Sequence, residues 1–422
     1  MKNLYKLILF TLILGCGAEQ AQAKIESNNQ KDQKSTVINT DWFKKPQAKV
    51  KGKLIFIAGA NTAKKRDSRI DQASFSTKGD VGFSIFADGL NNDSYGADIV
   101  FDLRREKSGS ADFIKAAYAY YNTDEYGTFK VGEMEGALEQ TLLDGRDVMG
   151  ATGGFGGELF TFATPSTGTL TYYQHAAHDK YATKVLYQTP TINGFQFVTS
   201  FTPHSQLLGS RKRGADEGNS TSFGDAFNKN EVMLRRVVEG VVSYGFNTSG
   251  VDVNMYLGGA VADPSTKINQ NLAVNAVHPA KSFLAGLLVD FGDVQFGAGY
   301  MNNGKSLTRK DLSETYGDAV NAAISYALGR HYVAAGHMAS WRKVEGGKAK
   351  ANISSVTYEY KAAPGLTLFS EVNYFDTRNT SQYYNNAAAT PKDRSENKQL
   401  FSGGIRNNNK GAVLLVGTAI RF

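Results

Sequence analysis

The chain has 422 residues, a formal net charge of +7 and one cysteine, with only 8 prolines and 2 tryptophans against 44 glycines, 25 phenylalanines and 21 tyrosines. A single cysteine excludes a disulfide framework or a thiolate-built metal cluster. Mild basicity with acids interspersed excludes the Lys/Arg block of a nucleic-acid binder. Many glycines and rings with scarce proline fit numerous strands joined by turns, and a mean hydropathy of −0.34 is compatible with a membrane barrel, whose lumen face is polar.

Residues 1–23 are expected to be a cleaved signal peptide. Lys2 and Lys6 form the basic region, Leu7 to Leu14 the apolar run and Ala21-Gln22-Ala23 the cleavage site. Cys16 after Ile13-Leu14-Gly15 is an alternative lipidation site, for which Leu14 is a poor fit. Cleavage after Ala23 removes Lys2, Lys6 and Glu19, taking the net charge from +7 to +6 and leaving no thiol. The mature chain then has no apolar run long enough for a transmembrane helix. Residues 24–49, polar and unpatterned apart from Trp42-Phe43, are expected to be an N-terminal periplasmic segment, with an anchoring or coiled element as the alternative.

From Lys51 apolar and polar residues alternate. The pattern predicts strands over 51–60, 74–88, 94–106, 113–122, 127–134, 181–189, 194–202 and 231–246. It continues over 250–262, 281–291, 294–303, 318–328, 331–342, 351–361, 366–377 and 411–422, sixteen in all. Most are near the length that a tilted strand needs to cross a bilayer. Every even connector is short and several carry turn chemistry, as at Gly292-Asp293, Gly329-Arg330 and Ala362 to Gly365. Odd connectors are longer, Lys107 to Asp112 excepted. One trimmed end and one elaborated end are the mark of an outer-membrane barrel. Parity agrees: Tyr95, Ala97, Ile99, Phe101 and Leu103 share one face, and Leu414, Val416, Thr418, Ile420 and Phe422 share another. The fold class expected is all-β, a sixteen-stranded antiparallel transmembrane β-barrel over residues 50–422.

The connector 135–180 breaks the rhythm. Loops beyond about 12–15 residues are uncommon and tend to be functional or disordered. With Leu138, Leu142, Leu143, Val148, Met149, Phe155, Leu159, Phe160 and Phe162 it is too apolar for disorder, so it is expected to fold into the lumen.

Several segments in order carry a resemblance: Ala116 to Tyr120, Tyr126 to Gly132, Phe155-Gly156-Gly157, Val185 to Pro190, Asn193 to Phe197, Pro364 to Phe369 and the terminal Phe422. Over about residues 50–422 the chain resembles a general diffusion porin of Gram-negative bacteria. The resemblance implies a homotrimer of water-filled barrels in outer-membrane lipid and lipopolysaccharide, with the third loop narrowing each pore. It also implies that Phe422 is the C-terminal signal presented to the barrel-assembly machinery. Ions and small hydrophilic solutes are the expected cargo, and no nucleic acid. The chain departs from the family where Gly153-Gly154, not Pro-Glu, precede Phe155, where Glu158 follows instead, and where Glu133 replaces an arginine; Lys180 stands about where another wall arginine would be.

Charge at the narrowest point decides what passes a pore. The acidic constriction candidates are Glu133, Glu135, Glu139, Asp144, Asp147 and Glu158, against Arg146 alone. Basic wall candidates are Arg104, Lys115, Lys180, Lys184 and Arg235. Acids facing bases would set up a transverse field, and the excess of acid predicts a weak cation preference. The alternative for any one acid is a turn cap or a calcium ligand, although no cofactor is expected and bound Ca²⁺ is not predicted. No enzyme is expected: none of the six histidines sits in a nucleophile or HExxH pattern. His175-x-x-His178-Asp179 has metal-ligand spacing but lacks further partners in sequence, so no metal is expected. Gly153 to Glu158 lacks the Gly-Lys-Ser/Thr ending of a phosphate loop. The runner-up function is a substrate-specific sugar or amino-acid channel, with Tyr172-Tyr173 and Tyr383-Tyr384 as guiding rings; an adhesin or purely structural barrel does not explain the apolar third loop. Subunit contact is expected through Leu54, Phe56 and Leu414.

Overall fold

A computed structural model of the protein describes residues 46–64, 71–89, 93–103, 114–163, 173–179, 181–205, 207–208, 211–212, 234–264, 277–308, 310, 313–344, 347–379 and 408–422. The expected signal peptide and most of the segment after it lie outside the described residues. The barrel strands are β1 (Gln47–Asn61), β2 (Ala73–Asp88), β3 (Ser94–Asp102), β4 (Ile114–Thr123), β5 (Gly127–Glu133), β6 (Thr183–Gln188), β7 (Phe195–His204) and β8 (Leu234–Thr248). They continue as β9 (Val251–Pro264), β10 (Ala280–Asp290), β11 (Val294–Asn302), β12 (Asp318–Leu328), β13 (His331–Val344), β14 (Gly347–Ala363), β15 (Leu366–Asn379) and β16 (Asn409–Arg421). Each pairs antiparallel with its sequence neighbours. The sheet closes where β1 meets β16, in a register running from Lys53 opposite Arg421 to Asn61 opposite Val413. All sixteen expected strands are present. The first begins earlier than expected, at Gln47, because Gln47 to Val50 pair with Phe86 to Phe83.

Alternation of side chains fixes which face is wet. In β14 the burial alternates residue by residue, with Ala349, Ala351, Ile353, Ser355 and Thr357 turned inward and buried. The outward rows expose Phe83, Ile85, Val131, Val185, Leu257, Val261, Val356, Leu414 and Val416. An apolar belt of this extent on a water-facing surface would drive aggregation; in lipid it is the surface required, and closure leaves no strand edge unpaired. Stacked rings sit near the short-turn end, Phe129 on Tyr187 at 4.5 Å and Phe195 on Tyr244 at 4.3 Å, as the aromatic girdle at a membrane interface does. Among the described residues no helix is long and apolar enough to cross a membrane.

The short turns are tight hairpins. Asn193-Gly194 and Ser249-Gly250 both hold two consecutive positive φ angles, 51° then 84° and 51° then 81°. That is the type I′ geometry whose twist matches the flanking strands. A small two-residue hairpin, Leu207–Leu208 with Arg211–Lys212, stands in a long connector where no strand was expected.

Candidate pore constriction

The third loop enters the lumen after β5 and follows the inner wall. Its short elements are α1 (Ala137–Thr141), α2 (Gly145–Val148), a 3₁₀ turn (Gly154–Gly156) and α3 (Leu159–Phe162). None is long enough to be stable alone, so the wall holds them. Leu138, Val148, Phe155, Leu159 and Phe162 are all at most 1 % exposed, and they press against wall positions that lack side chains. A Cβ on Gly336 of β13 would come within 2.7 Å of the Phe155 ring, and one on Gly297 of β11 within 2.6 Å of the Asp144 carbonyl oxygen. Gly59 of β1 makes the same room for the Phe162 ring.

Polar anchors alternate with these contacts. The Leu138 amide donates to Glu239 Oε2 of β8 at 3.0 Å, and the Ala137 amide to Ser200 Oγ of β7 at 3.0 Å. Gly145 N donates to Asn321 Oδ1 of β12 at 2.7 Å, and the Tyr332 hydroxyl of β13 donates to the Val148 carbonyl at 2.7 Å. The Ala151 amide reaches Glu359 Oε1 of β14 at 2.7 Å. Thr152 donates to Glu371 Oε2 of β15 through its amide at 3.0 Å and its hydroxyl at 2.7 Å. Asn61 of β1 donates to the Phe162 carbonyl at 2.8 Å. The returning chain docks where Ala176 N donates to Ser282 Oγ of β10 and to Asn303 Oδ1, at 2.9 and 2.8 Å. The loop thus touches the wall from β7 round to β1. Three of its anchors are carboxylates, which bind amides more strongly than neutral acceptors do.

The expected charges are distributed unevenly. Glu158 pairs with Lys78 of β2, a wall cation not singled out from the sequence. Glu135 accepts the Tyr181 hydroxyl at 2.7 Å; the Lys115 ammonium lies 5.7 Å from that ring and 3.1 Å from Asp80. A bulge in β4 makes Lys115 an extra residue between Ala116, opposite Val100, and Ile114, opposite Phe101. Lys130 of β5, also not singled out, donates to Gln140 of α1 at 2.8 Å. Arg146 pairs with Asp144 at 2.8 Å and lies over the Tyr173 ring at 4.7 Å.

Other expected positions fall elsewhere. Asp144 is wholly buried: its side chain caps α2 by accepting from Arg146 N, while Asp147 accepts from the Asp144 amide in a reciprocal capping box. Asp147 itself stays exposed to the lumen. Glu133 shares the outward row of β5 with Phe129 and Val131, so the register turns it from the pore. Lys184 points inward but is sealed beneath the loop, 1 % exposed, donating to the Met134 carbonyl at 2.5 Å and pairing with Asp179 at 2.9 Å. Arg235 is exposed at a bulge, four residues from Glu239 and so roughly 13 Å along the strand toward the long-loop rim, at about 3.3 Å per residue. Arg104, Lys180, Tyr172, Tyr383 and Tyr384 lie outside the described residues.

Glu139 of α1 meets both histidines of the return. Its Oε1 lies 3.3 Å from His178 Nδ1 and 3.6 Å from His175 Nε2. Burial pushes the His175 ring down to about 3, so it is neutral. Burial alone would push Glu139 up, but the bond and charge of His178 outweigh it and hold the carboxylate below its usual range. Burial works against charged His178 too, and Glu139 outweighs it and raises the ring above its ordinary value.

The acidic wall anchors Glu239, Glu359 and Glu371 are not among the residues expected from the sequence, where the wall candidates are all cations. Their signal in the sequence is parity: Glu239 shares the inward row with Val237 and Val241, and Glu371 with Phe369 and Asn373.

The family model described as Gram-negative porin matches residues 10–380. Relatives include uncharacterized proteins of Rickettsia conorii, 22 % identical over 383 residues, and of Rickettsia prowazekii, 22 % identical over 382 residues; each match covers 79 % of this chain and 82 % of the relative. Among solved structures, the anion-selective porin from Comamonas acidovorans superposes with a TM-score of 0.57 at 12 % identity, covering 89 % of this chain and all of that one. OmpT of Vibrio cholerae, in trimer form, gives 0.51 at 13 % identity over 88 % of this chain and 99 % of that one. At such identities the likeness is one of fold. A sixteen-stranded barrel with an apolar outer belt, a loop-narrowed lumen and a family match over most of its length makes this chain a member of the Gram-negative porin family, a channel of the bacterial outer membrane.

Proposed function

We propose that this porin is a general diffusion channel with weak cation preference, passing ions and small hydrophilic solutes passively. The observation that carries this reading is the fixed acidic lining of the constriction. Glu135, Asp147 and Glu158 reach the lumen from the loop, while its Arg146 is paired with Asp144 and its Glu139 with His178. On the wall, Lys78 and Glu158 offset each other, as do Lys115 and Asp80, which leaves Glu135 and Asp147 of the loop against Lys130. Anchors on β7, β8 and β12 to β15 make the loop a built constriction and not a flap, which suits a permanently open pore. The channel does no bond chemistry. It offers solutes water where the bilayer offers hydrocarbon, and its low-dielectric walls strengthen the field of the lining charges.

The homotrimer is part of the same proposal, with contact through the outward rows of β1 and β16, as are lipopolysaccharide at the outer surface and Phe422 as the assembly signal. The terminal carbonyl of Phe422 accepts from Gly52 N at 2.9 Å across the barrel seam. Of the rings expected to guide a sugar, the one among the described residues, Tyr173, is 8 % exposed beneath Arg146.

The test is a planar-bilayer recording in KCl. Large, long-lived steps grouped in threes, with a reversal potential on the cation side, are the expected outcome. Small steps blocked by one sugar or amino acid would establish a specific channel instead, and an anion-side potential would overturn the charge assignment.

A further inference from the structure

The cluster where the loop's first helix meets its return is arranged as a ligand set. One donor atom from each of Glu139, His175 and His178 lies within 4.8 Å of the others. The two separations to Glu139 Oε1 are 3.3 and 3.6 Å. With metal–ligand bonds of about 2.0–2.1 Å, the edge of a coordination tetrahedron is about 3.3 Å, so small shifts would place all three donors around one ion. Glu239 Oε1 of the wall stands 3.8 Å from His175 Nε2, where it can supply a fourth ligand.

The second observation is His175 itself. The ring is 2 % exposed, and neither nitrogen has a hydrogen-bond partner. Its distance to Glu139 is beyond hydrogen-bond reach. Burying a polar ring with no partner is costly, and native proteins rarely do so without a reason. An ion pair between Glu139 and His178 would explain those two residues and leave His175 unexplained. Beside the cluster Lys184 already neutralises Asp179, so a bound dication would meet the remaining carboxylates, Glu139 and Glu239.

We propose that Glu139, His175 and His178, completed by Glu239 or water, bind a divalent transition-metal ion of the zinc class, which clamps the start of the third loop to its return. Two imidazoles and a carboxylate select Zn²⁺, Ni²⁺ or Cu²⁺ over Mg²⁺ and Ca²⁺, which take all-oxygen sites. Entry is from the pore, because the Glu139 side chain is 24 % and that of His178 17 % exposed. The three ligands come from two loop segments that the Tyr181–Glu135 hydrogen bond and the Arg146–Tyr173 contact already bring together, and the ion would add a stronger direct link between them.

The experiment uses the untagged full chain, extracted, stripped with chelator and titrated with ZnCl₂ by calorimetry, alongside His175→Gln, His178→Gln and the double variant. The expected result is a single tight ion per chain, weakened about tenfold or more in each single variant. Co²⁺ should show a tetrahedral visible absorption in the wild type and lose it in the variants. Excess Ni²⁺ should displace Zn²⁺ and excess Ca²⁺ should not. Should His175→Gln fail to fold, His178→Gln, whose ring is partly exposed, decides. Unchanged zinc affinity in a folded double variant, or displacement by Ca²⁺ as readily as by Ni²⁺, overturns the site.

Discussion

Glu371 shows how single wall residues set the constriction. Its carboxylate is 1 % exposed and accepts from the Thr152 amide and hydroxyl and from Asn373 Nδ2, at 3.0, 2.7 and 2.6 Å. Glu371→Ala strands those donors in a buried site, which should cost about 1–3 kcal/mol. Glu371→Gln keeps the shape and an acceptor and should cost less. Urea unfolding from lipid vesicles, followed by tryptophan fluorescence, measures the ranking, and equal losses would show that the charge, which both variants remove, carries the whole anchor. Lys78 and Glu158 act on ions instead. Their side chains are 22 % and 19 % exposed, and a water-facing pair of this kind stabilises by only about 0–1 kcal/mol. Lys78→Ala should move the KCl reversal potential further to the cation side and Glu158→Gln toward the anion side, with little change in unfolding. Shifts of the same sign would place the pair outside the ion path.

At the scale of elements, loop and barrel are stabilised separately. The strands are joined by a closed hydrogen-bond ladder, while the loop's turns depend on side chains set into the wall. Phe155 is wholly buried against Gly336. Phe155→Ala should cost about 3–5 kcal/mol at that contact, but the cost falls on the loop. Heat resistance of the barrel on native gels should be unchanged while open-channel current noise rises; a barrel that melts early would show the two to be one cooperative unit. The same division explains what could be read in the sequence. Strands were legible because a period of two is local: Leu414, Val416, Thr418 and Ile420 announce their face without reference to any other segment. Turns such as Asn193-Gly194 were legible for the same reason. The loop's inward fold followed from its apolar content, but its path did not. That path is written in glycines and carboxylates of β7 to β15, whose meaning appears only once the loop lies against them. Likewise Asp144 reads as a pore acid until its place before Arg146 and Asp147 makes it a helix cap, and Glu139 reads as one until His175 and His178 come back to meet it.

For the whole molecule, the proposed trimer makes two outward faces unequal that a lone barrel would treat alike. Phe56 on β1 is 47 % exposed and Leu257 on β9 is 54 % exposed. The two strands stand half a turn apart in the sixteen-strand order. In a single barrel both side chains would meet lipid, and an arginine at either would carry a similar penalty, about 2–4 kcal/mol near the bilayer midplane and less toward the interfaces. In the proposed trimer Phe56 packs against a second copy while Leu257 remains in lipid. Phe56→Arg should therefore abolish the trimer on native electrophoresis and convert conductance in threes to single steps of unchanged size, since the constriction lies on the other side of the wall. Leu257→Arg should lower the yield of inserted protein and leave the triplets intact. Triplets lost in Leu257→Arg and kept in Phe56→Arg would move the contact to the opposite wall; single steps from the unaltered protein would remove the trimer altogether.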